Sequence, residues 1–220
     1  MTPTFWQTLT RVLVVAMLLT ATAAAATPEL TGRWGDPHAP EQLVANLPTK
    51  KTKALVVVTF STSCPLARRL VPALNELQQR FDADGVQFIA LFPNGRDSID
   101  AIARYAVETN LAFPVYKDDA ETPWHEQLAL KVTPAVAVLD VRNGYDASRV
   151  VYRGQVDGMW AGDGGAKRNR DYVADALARF VLGEPIEIAE TAASGCKIEK
   201  RSFHDLGEFE GVTYLSLIHI

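Results

Sequence analysis

The chain has 220 residues, 48% of them hydrophobic, with 22 Lys and Arg against 26 Asp and Glu. That length and apolar fraction suffice for one domain with a full core plus extensions, and argue against two equal domains. The net charge of −4 and the scatter of the basic residues, with no positive stripe interleaved with aromatics, exclude the electrostatic footprint of a nucleic-acid binder.

In chain order, Arg11, an apolar run from Val12, and small residues ending at Ala24-Ala25-Ala26 have the three-part form of a secretory signal peptide over residues 1–26. The apolar run of about 15 residues is shorter than the roughly 18–20 of a spanning helix, so membrane attachment requires an uncleaved segment. Cleavage after Ala26 removes Arg11 and leaves 21 basic against 26 acidic residues, a net charge of −5. Export would place the two cysteines, Cys64 and Cys196, in an oxidising compartment, where a disulfide, transient mixed disulfides and free thiols are all open to them.

From there, strand and helix patterns alternate. Residues 54–60, ALVVVTF, are a continuous apolar and β-branched run suited to a strand buried on both faces. PLARRLVPALNELQQRF follows, with Leu66, Leu70, Ala73, Leu74, Leu77 and Phe81 at helical spacing and Pro65 at a permitted first-turn position. VQFIALF (86–92) reads as a second strand, and residues 97–110 as a helix capped by Asp97 or Ser98. FPVYKD is a short extended piece and ETPWHEQLAL a short helix. PAVAVLD (134–140) and RVVYRGQVD (149–157) form a last strand pair whose connection has Asn143-Gly144 as its strongest turn signal. A helix within NRDYVADALARFVLGEP is stopped by Gly183 and Pro185. These patterns delimit a domain over 27–190 and a polar tail over 191–214 that carries Cys196.

Cys64 falls where the first strand becomes the first long helix. A thiol at a helix start faces unpaired N–H groups and the positive dipole end, which favour thiolate, the nucleophilic form, so the Cys64 sulfur is expected to be ionised and accessible. Arg68 and Arg69 lie one turn onward as possible cationic support. The alternative for Cys64 is a small buried apolar residue. The four histidines, His38, His125, His204 and His219, show no metal-ligand spacing, and no metal or other cofactor is predicted. Glu76 and the Asp118, Asp119, Glu121 group read as solvated surface. Trp124 and Trp160 could line a groove but fit packed core better. Residues 161–169 read as a loop without phosphate-loop spacing.

Three stretches together, FSTSCPLA, KVTPAVAVLD and VVYRGQVDG, resemble the redoxin branch of the thioredoxin superfamily. Its relatives are exported redoxin-domain proteins, periplasmic thiol–disulfide oxidoreductases and alkyl hydroperoxide reductase/thiol-specific antioxidant proteins. The resemblance spans about residues 28–200 and implies an α/β thioredoxin-like fold, a central mixed β-sheet flanked by helices. It implies a periplasmic thiol–disulfide oxidoreductase with Cys64 as nucleophile and Cys196 as a resolving thiol. Pro65 and a cis-proline loop at Thr133-Pro134 would shape the groove for thiol or disulfide substrates. Two alternatives stay open: a thiol peroxidase in which Ser61 assists Cys64 against peroxide, and a redox-inactive docking module once fused to a cytochrome domain.

Departures from the family pattern bear on the choice. Ala67 stands where thioredoxins carry a second cysteine, so no disulfide closes within the motif, and Arg68 replaces the second cysteine of copper-assembly relatives. Val57 and Pro134 stand where a peroxiredoxin has its proline and its peroxide-polarising arginine. Related redoxins continue after a stretch like Val212-Thr213-Tyr214 into a haem domain, a possible partner here, although the chain has no Cys-x-x-Cys-His motif. Residues 215–220, LSLIHI, back-translate to a sequencing-adapter sequence and read as an artefact.

Overall fold

The computed structural model describes residues 30–32, 37–45, 52–118, 123–158 and 170–199. Within them the chain forms β1 (Leu30–Gly32), β2 (Pro37–His38), α1 (Pro40–Ala45), β3 (Ala54–Thr59), α2 (Pro65–Phe81), β4 (Val86–Phe92), α3 (Ile99–Glu108), β5 (Val115–Lys117), α4 (Trp124–Gln127), β6 (Val132–Thr133), β7 (Ala135–Asp140), β8 (Val150–Gly154), α5 (Tyr172–Leu182) and β9 (Cys196–Lys197).

All six residues of β3 are buried because the strand is central in the main sheet, whose order is β2-β1-β5-β4-β3-β7-β8. β3, β4 and β5 run parallel, while β7 pairs antiparallel with β3 and β8. Successive side chains of a strand point to opposite faces. Val56, Val58 and Phe60 therefore join Leu70, Val71 and Leu74 of α2, Tyr105 of α3 and Leu177 of α5 in one core cluster. Leu55 and Val57 join Leu43, Trp124 and Leu128 in another. This is the α/β arrangement expected, a mixed sheet with helices on both faces.

α2 starts with Pro65 in its first turn and continues through Pro72 to Phe81. A short 3-10 turn, Asp82–Asp84, and Gly85 at φ +83° then direct the chain into β4. Ser98 caps α3 by accepting the Ala101 N–H at 3.2 Å, and Gly183 ends α5 in the left-handed region.

Three readings of the sequence are corrected. The strand expected over 149–157 ends at Gly154, whose φ of +144° breaks the ladder where Thr191 packs directly on it. Up to Glu199 the 191–214 tail packs back on the domain, with β9 antiparallel to β6. Asp118 is not solvated surface but 1% exposed. Its Oδ1 accepts Trp124 N–H at 2.8 Å, and its Oδ2 accepts His125 N–H at 2.9 Å and pairs with His125 Nδ1 at 2.7 Å, so it ties the end of β5 to the start of α4. The third, the accessibility of Cys64, belongs to the site below. Trp124 is fully buried and donates to the Tyr145 hydroxyl at 2.5 Å, which makes it core. The signal segment, Asp119, Glu121, Trp160, residues 161–169, His204, His219, Val212-Thr213-Tyr214 and LSLIHI lie outside the described residues. Among the described residues no helix is long and apolar enough to cross a membrane.

Candidate active site

The end of β3 and the start of α2 set the first sulfur. Cys64 is the N-cap of α2, with extended dihedrals of φ −86° and ψ 110°. Its N–H donates to the Ser61 carbonyl at 3.1 Å, and its own carbonyl accepts the Arg68 N–H at 3.2 Å, so the residue is held in a turn on one side and in the helix on the other. The preceding loop is tied to the start of α3. Asp97, 3% exposed, accepts the Thr62 hydroxyl at 2.5 Å and the Thr62 N–H at 3.3 Å.

The facing loop comes from the step between β6 and β7. The Thr133–Pro134 peptide bond is cis. Thr59, the last residue of β3 and fully buried, secures both flanks of that step: its hydroxyl donates to the Val132 carbonyl at 2.7 Å and accepts the Ala135 N–H at 2.9 Å. The Cys64 thiol in turn donates to the Thr133 carbonyl at 3.1 Å. Across the same loop, Thr133 pairs in register with Cys196 of β9. The Sγ atoms of Cys64 and Cys196 are 2.7 Å apart, although 132 positions separate the residues.

Of the residues singled out from the sequence, Cys64, Cys196, Thr133 and Pro134 come together here, with Pro65 in the adjoining first turn of α2. Ser61 does not complete the group: its hydroxyl lies 3.1 Å from that of Ser63. Arg68 turns its guanidinium toward Glu108, at 3.1 Å, and over the Tyr105 ring, 5.2 Å from the centroid. The expectation of an accessible Cys64 fails, because the residue is only 2% exposed and sits in the core cluster that Cys196 packs against.

Residues 39–143 match the AhpC/TSA family. A hypothetical protein from Sinorhizobium meliloti 1021 superposes with a TM-score of 0.65 at 21% identity, covering 81% of this chain and 93% of that one. An uncharacterized conserved protein from Geobacillus kaustophilus gives a TM-score of 0.63 at 23% identity over 80% and 90%. The chain has a thioredoxin-like fold. A secreted Mycobacterium tuberculosis disulfide oxidoreductase homologous to E. coli DsbE overlaps more distantly, with a TM-score of 0.46, 17% identity and coverage of 68% and 93%. A search of curated proteins gives no significant match. The AhpC/TSA match supports a thiol-redox role in general terms.

The two sulfurs of the site differ in acidity. Burial alone would raise the Cys64 thiol, but the Cys196 thiol and the Ala67 N–H at the open end of α2 hold it below the ordinary cysteine value. Cys196 is pushed up to about 11, by burial first and then by its contact with Cys64. One sulfur is thus more acidic than an ordinary cysteine and the other less acidic. Burial also pushes the Tyr105 hydroxyl up, against the pull of Arg68.

The supports of the site were harder to read from sequence than its sulfurs. Asp97 appeared only as a possible helix cap, whereas its carboxylate holds the loop before Cys64. Thr59 looked like an ordinary strand residue; its one signal is a polar side chain closing an otherwise apolar central strand, which calls for an internal partner.

Proposed function

We propose that this protein is an exported thiol–disulfide oxidoreductase in which Cys64 is the nucleophile and Cys196 the resolving thiol. One observation carries the reading: two cysteines far apart in sequence meet at 2.7 Å between the start of a helix and a cis-proline loop. The Cys64 thiolate attacks a substrate disulfide R–S–S–R′, forming Cys64–S–S–R and expelling R′–S⁻. Cys196 gives up its proton and attacks Cys64 Sγ, expelling R–S⁻ and leaving a Cys64–Cys196 disulfide. Two electrons pass from the protein to the substrate, and a dithiol reductant, itself oxidised to a disulfide, returns the Cys64–Cys196 disulfide to two thiols. Pro65, Thr133 and Pro134 frame the approach to the sulfur.

Peroxide reduction has less support, since Ser61 faces Ser63, and Val57 and Pro134 stand where a peroxidase needs other residues. Export to the periplasm rests on the sequence of residues 1–26, and a haem-domain partner on the stretch around Val212-Thr213-Tyr214. The test is mass mapping of the unreduced protein, before and after treatment with oxidised glutathione, together with turnover of a disulfide substrate. A linked peptide containing Cys64 and Cys196, and loss of turnover in Cys64→Ser, are expected. An unlinked protein without turnover would leave the docking module as the better reading.

A further inference from the structure

The segment that covers Cys64 is fastened on both sides. Before β9, Thr191 donates its N–H to the Arg153 carbonyl at 2.9 Å, and its hydroxyl accepts the Gln155 N–H at 3.0 Å and lies 2.8 Å from the Tyr152 hydroxyl. After it, Glu199 donates its N–H to Asn94 Oδ1 at 2.7 Å, its carbonyl accepts the Gly95 N–H at 3.3 Å, and its carboxylate pairs with Arg96 at 3.4 Å. Between these fastenings β9 lies antiparallel along β6. That is the edge beside the cis-proline step, where an extended polypeptide would add as a further strand. The chain's own tail fills it. Cys64 beneath is 2% exposed, while Cys196 keeps intermediate exposure.

We infer that, once Cys64 and Cys196 are joined, an incoming reductant attacks the tail sulfur of Cys196 rather than the helix-start sulfur of Cys64. The inference rests on the disulfide exchange proposed above. A thiolate R–S⁻ forms a bond to Cys196 Sγ, the Cys64–Cys196 bond breaks, and its electron pair leaves on Cys64. The open end of α2, with the Ala67 N–H, receives that charge, and a well-stabilised thiolate is the faster leaving group. The second thiol of a dithiol reductant then attacks R–S, expelling Cys196, which takes a proton, and the reductant departs as a disulfide. The partner this geometry fits presents a protruding thiol that reaches over β9. It does not need to thread a cysteine-bearing strand along β6.

The experiment mixes the oxidised full chain with reduced glutathione and excess iodoacetamide, quenches with acid, and maps both modifications by mass spectrometry. Molecules with glutathione on Cys196 and carbamidomethyl on Cys64 should exceed the reverse by about tenfold, since exposure and leaving-group stability favour the same sulfur. Asn94→Ala, or Arg96→Ala if that variant folds poorly, loosens the far fastening and should move glutathione toward Cys64. An unchanged ratio would detach the selectivity from the tail and overturn the inference. Linked protein with glutathione mainly on Cys64 overturns this inference alone. Oxidised protein with no Cys64–Cys196 linkage overturns the proposed function and this inference together.

Discussion

Gly195 lies directly against the backbone of Thr133: a Cβ at position 195 would stand 2.3 Å from the Thr133 carbonyl oxygen, 2.8 Å from its carbon and 3.2 Å from Pro134 N. Only a residue without a side chain lets the tail reach β6 so closely. Gly195→Ala must therefore push the tail outward. The reduced variant should expose Cys64 to iodoacetamide, raising its alkylation rate several-fold, at a stability cost of about 1–3 kcal/mol for overpacking. Alkylation kinetics and urea denaturation measure the two effects. An unaltered Cys64 rate would show that the tail is not what covers the sulfur.

Cys196→Ala should raise the Cys64 pKa. Burial already works against the Cys64 thiolate, and the Cys196 thiol is the foremost of the groups that offset it. Thiolate absorbance near the ultraviolet edge, followed against pH, should show the Cys64 midpoint moving up toward the ordinary cysteine value. Stability of the reduced protein follows the same shifts. Cys64 is held below its unfolded value, so its contribution is present above the ordinary cysteine pKa and is lost as pH falls through the lower folded value. Cys196, raised to about 11, does the opposite: its contribution is present below the ordinary value and is lost as pH climbs toward about 11. The alkaline loss should be missing in Cys196→Ala.

Much of this protein is visible in its residues, for physical reasons that differ by element. β3 shows itself because a strand buried on both faces must be apolar throughout, and α2 because Leu70, Leu74 and their neighbours repeat at helical spacing. Cys64 and the Thr133-Pro134 step stand out because their neighbours already mark the end of one element and the start of the next. β1, β2 and β9 do not, since two or three residues such as Cys196–Lys197 have no periodicity and exist only through pairing with distant partners. Asp118 was misread for the same reason. In sequence it has acidic company, and only the chain's return to α4 makes it an internal acceptor.

Asp118→Ala leaves the Trp124 and His125 N–H groups and the His125 ring without their buried acceptor. We expect a loss of about 2–4 kcal/mol, since several buried donors are orphaned at once. Disulfide exchange per folded molecule should stay near that of the parent. Denaturation with parallel turnover assays decides: a fall in turnover at full folding would place Asp118 in the chemistry after all.

Gly154→Ala attacks the near fastening of the tail. A Cβ there would come within 2.0 Å of Thr191 Oγ1 and 2.5 Å of the Thr191 carbonyl oxygen, and a φ of +144° strains any side chain. A loss of about 1–3 kcal/mol is expected from overpacking together with that strain. Amide exchange of Thr191 and of residues 195–198 should speed up together if the tail is one fastened unit. Faster exchange at Thr191 alone would show that the two parts move separately.

The distance in sequence between the two sulfurs has a mechanical side. A bond between residues 132 positions apart would close a loop that holds α2 through α5 and most of the sheet. On the chain-entropy view, closing a loop of that size removes about 5 kcal/mol worth of freedom from the unfolded chain. The same pair of atoms that passes electrons would then limit how widely the denatured protein can spread, and a reductant would loosen the whole domain's resistance to unfolding along with the tail.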